Sequence, residues 1–201
     1  ERDIAAALIE RRYAWRGYAL EAQKLFRSDV DEITFVAYEQ DVVVGTLTLG
    51  LDSKHGLLAD DLYKDEIDLH RHQGGRCFEL TRFALSPSPH SKEVYASLFH
   101  LAFIFGRLIH RMSDVFIEVN PRHAGFYRRM LGLQQLGPIR TCARVEAPAV
   151  LLHGKMSYIE EQIREHGGCA YKKARSLYPY FFSQEIVNSI VAHLGIDSHI
   201  N

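Results

Sequence analysis

Three kinds of side chain in this 201-residue sequence carry the most evident chemistry. Glu79 offers a carboxylate able to take a proton, and Tyr127 offers a phenol able to give one. Arg82, with Arg12 and Arg16 near the start of the chain, offers guanidinium forks that match a carboxylate in two-point contact. Glu79 and Arg82 stand three apart in the run Glu79-Leu80-Thr81-Arg82-Phe83-Ala84-Leu85. On a regular strand such residues face opposite ways. Both reach one cleft only if a bulge intervenes, or else one of them is structural, with Glu79 pairing to a nearby arginine.

Other constellations are weaker. Asp68-x-His70-x-His72 has metal-ligand residue types, but its polar, Gly-flanked setting and missing fourth ligand read as a solvated loop, so no metal is expected. Asp60 and Asp61 read as a helix cap. There is no Gly-x-Ser-x-Gly elbow, no phosphate-binding Gly-x-x-x-x-Gly-Lys and no Gly-x-Gly-x-x-Gly. Cys77, Cys142 and Cys169 are widely spaced, form no Cys-x-x-Cys and suit reduced thiols in a cytoplasmic protein. With 24 Lys+Arg against 25 Asp+Glu, the net charge of -1 argues against a general nucleic-acid binder. The apolar run from Val94 to Ile109 is too short and too interrupted by His100 and Arg107 to cross a bilayer. No signal peptide pattern opens the chain, and its start at Glu1 leaves a preceding element to be expected.

The elements that must position these residues follow from periodicity. The first two dozen residues read as a helix through Ile4, Leu8 and Ile9. The β-branched runs Ile33 to Glu39 and Val42 to Gly50 read as an antiparallel hairpin. A short helix is expected around Asp60 to His70, and a strand from Arg76 to Leu85 ended by Pro87 and Pro89. Val94, Leu98, Leu101, Phe105, Leu108 and Met112 form one stripe of a single long helix. Val115 to Val119 reads as a strand, Pro121 to Leu131 as a helix stopped by Gly132, and Val145 to Leu152 as a strand. A helical tail follows, with Ile186, Val187, Ile190, Val191 and Leu194 on one face and Gly195 as its stop. The organisation is an α+β domain over residues 1–155 with a helical extension over 156–201 packed on it.

Two segments carry a family likeness. Asn120 to Gly132, with Tyr127 between them and a buried strand before, resembles the strand–helix segment of the GNAT N-acetyltransferase superfamily. The strand Glu79 to Leu85 resembles the Glu-x-x-Arg-Phe strand of acyl-homoserine-lactone synthases. Together with Gly45-Thr46-Leu47, Asp52-Ser53, Gly56-Leu57 and Asp60-Asp61-Leu62-Tyr63, it is similar to the related long-chain N-acyl amino acid synthases. The likeness spans roughly residues 1–155.

The resemblance implies a mixed, mostly antiparallel sheet splayed to admit pantetheine and flanked by helices. It implies N-acylation of an amino acid, with Glu79 as base and Tyr127 protonating the leaving thiolate. Backbone groups of Phe83, Ala84 and Leu85 would hold the pantetheine arm and the oxyanion. Arg82, Arg16 or Arg12 would bind the acceptor carboxylate, Trp15 would belong to a segment closing over the substrates, and Asn120 would contact substrate. Relatives that use coenzyme A carry a Gly-rich loop after the fourth strand, whose N–H groups cradle the pyrophosphate. Here Ser86 to Lys92 contains no glycine and two prolines, which argues against the nucleotide half of coenzyme A. It fits an acyl-phosphopantetheine co-substrate on an acyl carrier protein, with no permanently bound cofactor. That acidic partner would dock on Arg107, Arg111, Arg122, Arg128 and Arg129. A lipid product allows peripheral membrane contact. Two other readings stand beside this one: an acyl-homoserine-lactone synthase, which leaves the tail after Lys155 unexplained, and a non-catalytic acyl-carrier or lipid-binding module.

Overall fold

The computed structural model describes residues 19–21, 32–39, 42–86, 90–144, 146–169 and 175–194. Of the helix expected over the first two dozen residues, the part with Arg12, Trp15 and Arg16 lies outside the described residues, as does the Pro87–Pro89 turn, whereas Ala19–Glu21 is strand instead, because its backbone pairs with Val36–Tyr38.

Seven strands form one sheet: β1 (Ala19–Glu21), β2 (Glu32–Glu39), β3 (Val42–Leu51), β4 (Cys77–Leu85), β5 (Asp114–Val119), β6 (Gln134–Cys142) and β7 (Ala147–Lys155). Their order is β1-β2-β3-β4-β5-β7-β6. Every described pairing is antiparallel except β4 with β5. The helices are α1 (Asp60–His72), α2 (Ser91–Phe103), α3 (Pro121–Leu131), α4 (Met156–His166) and α5 (Gln184–His193). A 3-10 turn, Tyr178–Tyr180, precedes α5.

The alternation of β4 divides the molecule. Phe78 and Leu80 pack with Leu98, Val115 and Leu152 in the larger core, under α2 and α3. Cys77 joins Tyr63, Ile67, Phe116 and Leu151 in a smaller core beneath α1. Tyr63 is fully buried there and donates its hydroxyl to the Ala149 carbonyl at 2.8 Å, which ties α1 across to β7. The C-terminal extension is no separate body: Met156, Ile159, Leu177, Tyr178, Phe181 and Ile190 belong to the larger core. No helix among the described residues is long and apolar enough to cross a membrane.

The hairpin, α1, β4, α3 and the last helix match the periodicity. α3 starts as its sequence dictates, with the Asn120 side chain accepting from the Arg122 N–H, Pro121 in the first turn and Gly132 at φ 72 closing it. Beyond the strand at Ala19–Glu21, three features differ. The long helix does not run to Met112: beyond Phe103 it widens into a π-helical turn over Ile104–Ile109. Gly106 there lies so close to the Phe78 ring that a Cβ would come within 2.9 Å, and Arg111 leaves the helix at φ 54. Strand β6 is absent from the periodicity because it is an edge strand carrying Gly137-Pro138 at its irregularity, between Leu136 and Arg140. The last strand runs over Ala147–Lys155 rather than ending at Leu152, and so carries His153 and Lys155 into the sheet.

Candidate active site

β4 and β5 pair only at Cys77/Asp114, Phe78/Val115 and Glu79/Phe116, although β4 continues to Leu85 and β5 to Val119. The sheet therefore splits beyond Glu79. The edge of β4 that faces the split is left without a strand partner, so its backbone groups are open to a ligand. A cleft of about 740 Å³ occupies the split, within the usual range for small-molecule sites. Phe83 and Leu85 of β4, Tyr95 of α2, and Phe126, Tyr127 and Met130 of α3 make its apolar walls. Ser91, Lys92 and His123 are its polar lining, and Leu177 of the extension lines it as well, with the Lys92 ammonium 4.0 Å over the Tyr180 ring of that extension.

A bulge aims the β4 residues. Thr48 pairs with Thr81 but Thr46 pairs with Ala84, so β4 carries one extra residue between them. Arg82 takes it up at φ 49, and its carbonyl accepts from the Thr46 hydroxyl at 3.0 Å. The strand's parity shifts there. Leu80 before the bulge and Phe83 after it both face the larger core.

Phe83 packs edge-on against Tyr95 (4.7 Å between ring centroids) and Phe99 (5.6 Å), while Tyr95 and Phe99 stack at 4.7 Å. Tyr127 completes the group, 6.5 Å from Tyr95. Burial raises the Tyr127 phenol above its ordinary 10.0, with the Tyr95 hydroxyl drawing it partly back. Burial, with the nearby Tyr127, pushes Tyr95 far higher still. Both phenols are neutral at physiological pH, and a neutral phenol in a cleft wall can donate a proton.

The structure does not bring Glu79 into this cleft. Its side chain is buried on the α1 face, where Oε1 accepts from Leu58 N at 2.7 Å and Oε2 from Ala59 N at 3.1 Å. Burial raises its pKa and the two N–H groups pull it back down. The carboxylate, expected as a base, is committed to holding the start of α1. That start differs from expectation too: Ala59 is the N-cap without a side-chain bond, and Asp60 reaches back to Leu57 N at 2.7 Å. Arg82 reaches Glu32 at 2.6 Å, also away from the cleft. The bulge thus puts Glu79 and Arg82 on one face of the sheet, though not the face of Tyr127. The Asn120 oxygen serves as the α3 cap.

The region around His70 is not a solvated loop. His70 lies on α1, and its Nδ1 lies 3.0 Å from Asp114 Oδ1. His153 Nε2 and the Lys155 ammonium reach the same oxygen, each at 2.7 Å, and Ser113 donates to Oδ2 at 2.6 Å. His70, Asp114 and His153 present metal-ligand atoms within 4.8 Å of one another. The Lys155 ammonium already supplies that oxygen with positive charge. We therefore read the group as a charge-compensated hub joining α1, β5 and β7.

The arginines named for docking separate into two sets. Arg107 is engaged by Glu160 at 3.0 Å and by the Met112 carbonyl, and Arg111 is off the helix, so the two are not i, i+4 neighbours. Arg122, Arg128 and Arg129 are exposed on α3 beside the cleft. Arg122 donates to His123 Nε2 at 3.0 Å, and Arg128 and Arg129 make no ion pair among the described residues.

Tyr95, Met130 and Leu177 are cleft residues that the sequence reading did not single out. Tyr95 follows Val94 but lies off the stripe read from the sequence, and nothing local marked Leu177.

A family model for the N-acyl amino acid synthase FeeM matches residues 4–155. The structure of FeeM, an N-acyl amino acid synthase from uncultured soil microbes, is 27% identical, covers 80% of this chain and 88% of its own, and superposes with a TM-score of 0.60. A mutant form of the spermidine N-acetyltransferase SpeG of Vibrio cholerae is 14% identical over 66% of this chain and 69% of its own, TM-score 0.44. No curated protein matches the sequence.

Proposed function

This chain belongs to the N-acyl amino acid synthase FeeM family and is an N-acyltransferase; from that premise we propose that it moves a long-chain acyl group from an acyl carrier protein thioester to the amine of an amino acid. One observation carries the reading: β4 and β5 part beyond Glu79 around an apolar cleft with Tyr127 in its wall.

The pantetheine arm would enter beside the polar lining residues Ser91, Lys92 and His123. The unpaired edge of β4 near Phe83, Ala84 and Leu85 offers backbone N–H groups to the arm and to the oxyanion that develops at the thioester carbon. The acceptor amine attacks that carbon, the C–N bond forms and the C–S bond breaks. Tyr127 gives its proton to the departing sulfur and regains one, through water, from the amine nitrogen. Glu79 takes no part in that transfer and keeps the loop before α1 in place.

The carrier-protein donor is supported by the glycine-free Ser86–Lys92 sequence and by the exposed Arg122, Arg128 and Arg129 next to the cleft. The test is direct: purified protein is incubated with long-chain acyl carrier protein and mixed amino acids, and products are identified by mass spectrometry. N-acyl amino acid is expected. Its absence overturns the reading, and equal use of acyl coenzyme A overturns the choice of donor.

A further inference from the structure

We propose that Tyr95 is a positioning residue for the transfer: its buried, unpartnered hydroxyl is the donor that holds the Tyr127 oxygen while Tyr127 is without its proton. The inference deepens the acyl-transfer reading above and rests on it.

Tyr95 lines the cleft from α2 yet is only 6% exposed. Its hydroxyl is buried and completes no hydrogen bond among the described residues. Buried hydroxyls seldom go without a partner, and one left open in the wall of a site points to an acceptor that arises only when the site works. The ring is not free to turn away and find water. It stacks flat on Phe99 of its own helix at 4.7 Å between centroids. It packs edge-to-face with Phe83 of β4 at 4.7 Å and with Phe126 of α3 at 5.0 Å.

Tyr127 stands 6.5 Å away, ring to ring, tilted by 48°. Among the titratable cleft residues Lys92, Tyr95 and His123, Tyr95 alone acts on the Tyr127 phenol, and its hydroxyl favours the charged form there. The contact is unfinished in the free protein, where the Tyr127 oxygen is neutral and a modest acceptor. A phenolate oxygen is a far stronger one. Burial keeps Tyr95 itself protonated, so it offers a hydrogen bond and gives up no proton.

In the step itself the amine lone pair forms the C–N bond, the C–S pair leaves on sulfur, and the Tyr127 proton passes to that sulfur. Tyr127 is then a phenolate in an apolar wall, where unpaired charge is costly. The Tyr95 O–H completes its bond to that oxygen until the proton from the amine nitrogen returns, through water, to Tyr127. A donor already clamped by three aromatic rings needs no reorganisation when the charge appears.

The test measures single-turnover amide formation in the native protein, Tyr95→Phe, Tyr127→Phe and the double variant. Two acyl donors are used: a pantetheine thioester and an aryl thioester, whose thiolate leaves without needing a proton. Tyr95→Phe should slow the pantetheine donor about tenfold, leave the aryl donor nearly untouched and leave KM for the amino acid unchanged. In the Tyr127→Phe background it should cost nothing further. Its urea midpoint should equal or exceed the native one, since an unpartnered hydroxyl is removed. Independently of turnover, a fluorinated tyrosine at position 127 is titrated by fluorine NMR, and its acid dissociation constant should fall about tenfold in Tyr95→Phe. A native rate in Tyr95→Phe, equal slowing of both donors, further slowing in the Tyr127→Phe background, or a lowered urea midpoint each overturns the inference and leaves the transfer reading intact. No amide from either donor in the native protein, with the titration moving as expected, overturns the transfer reading and upholds the bond between the two tyrosines.

Discussion

The carboxylate of Glu79 and the phenol of Tyr127 lie on opposite faces of the sheet. Glu79 closes the Leu58 and Ala59 N–H groups beneath α1, and Tyr127 faces the cleft between α2 and α3. Two residues that look like a base and an acid in sequence therefore do different work, and they should fail differently when changed.

Glu79→Ala leaves the buried Ala59 N–H and the partly exposed Leu58 N–H without their acceptor and is expected to cost about 2 kcal/mol of stability. Urea unfolding measures it. Turnover per folded molecule should stay within a few-fold of native in Glu79→Gln, which keeps an acceptor oxygen. A large loss of turnover in that variant, with stability unchanged, would restore Glu79 as the base.

Tyr127→Phe removes only a hydroxyl from the cleft wall and should leave unfolding nearly unchanged while lowering the transfer rate about 100-fold. Because burial holds the phenol above its ordinary 10.0, the acid stays protonated as pH rises. The rate should not fall through loss of this proton until the pH exceeds that value. A pH–rate profile of kcat that declines between pH 8 and about 9 with Tyr127 intact would argue for another acid.

His100 is buried with its pKa pushed down to about 3, against 6.5 for an ordinary histidine. The unfolded chain takes up a proton below that ordinary value and the folded one does not. The contribution is whole above about pH 6.5 and is lost as pH falls toward about 3, with a slope approaching 1.4 kcal/mol per unit. Burial also lowers His70, which adds in the same direction. Urea midpoints measured between pH 7 and about 4.5 should fall less steeply in His100→Gln than in the native protein. Equal slopes would remove His100 from the account.

Reversing Arg128 and Arg129 to Glu places two negative charges beside the cleft without touching its lining. KM for the acyl carrier protein should rise about tenfold and lose much of its salt dependence, with kcat unaltered. With S-acyl pantetheine, which lacks the acidic protein, the same variant should behave as native. An equal effect on both donors would mean that these arginines act on the site itself.

Much of this is legible before folding. The run from Asn120 to Gly132 specifies its own helix, because cap, first-turn proline and closing glycine act within a few residues of each other. The β2–β3 hairpin and the stripe of α2 follow in the same way from local periodicity. The bulge at Arg82 enters from the sequence only as a condition on Glu79 and Arg82. It depends on how β4 registers against Thr46 and Thr48, more than thirty residues away. β6 is invisible in the periodicity because its Gly-Pro pair contradicts strand preference, and pairing with β7 overrides that preference.

By itself the sequence determined the kinds of element, the helix carrying Tyr127 and the family likeness of residues 1–155. Those are properties of short stretches, where backbone preference and apolar spacing decide. Only tertiary structure decided which partner each polar group would take. Glu79 went to the α1 start rather than the cleft, His70 joined Asp114 and His153, and Leu177 became a wall of the site. The reason is physical: a buried polar or apolar group is satisfied by whatever lies beside it in space, and the sheet order sets that neighbour.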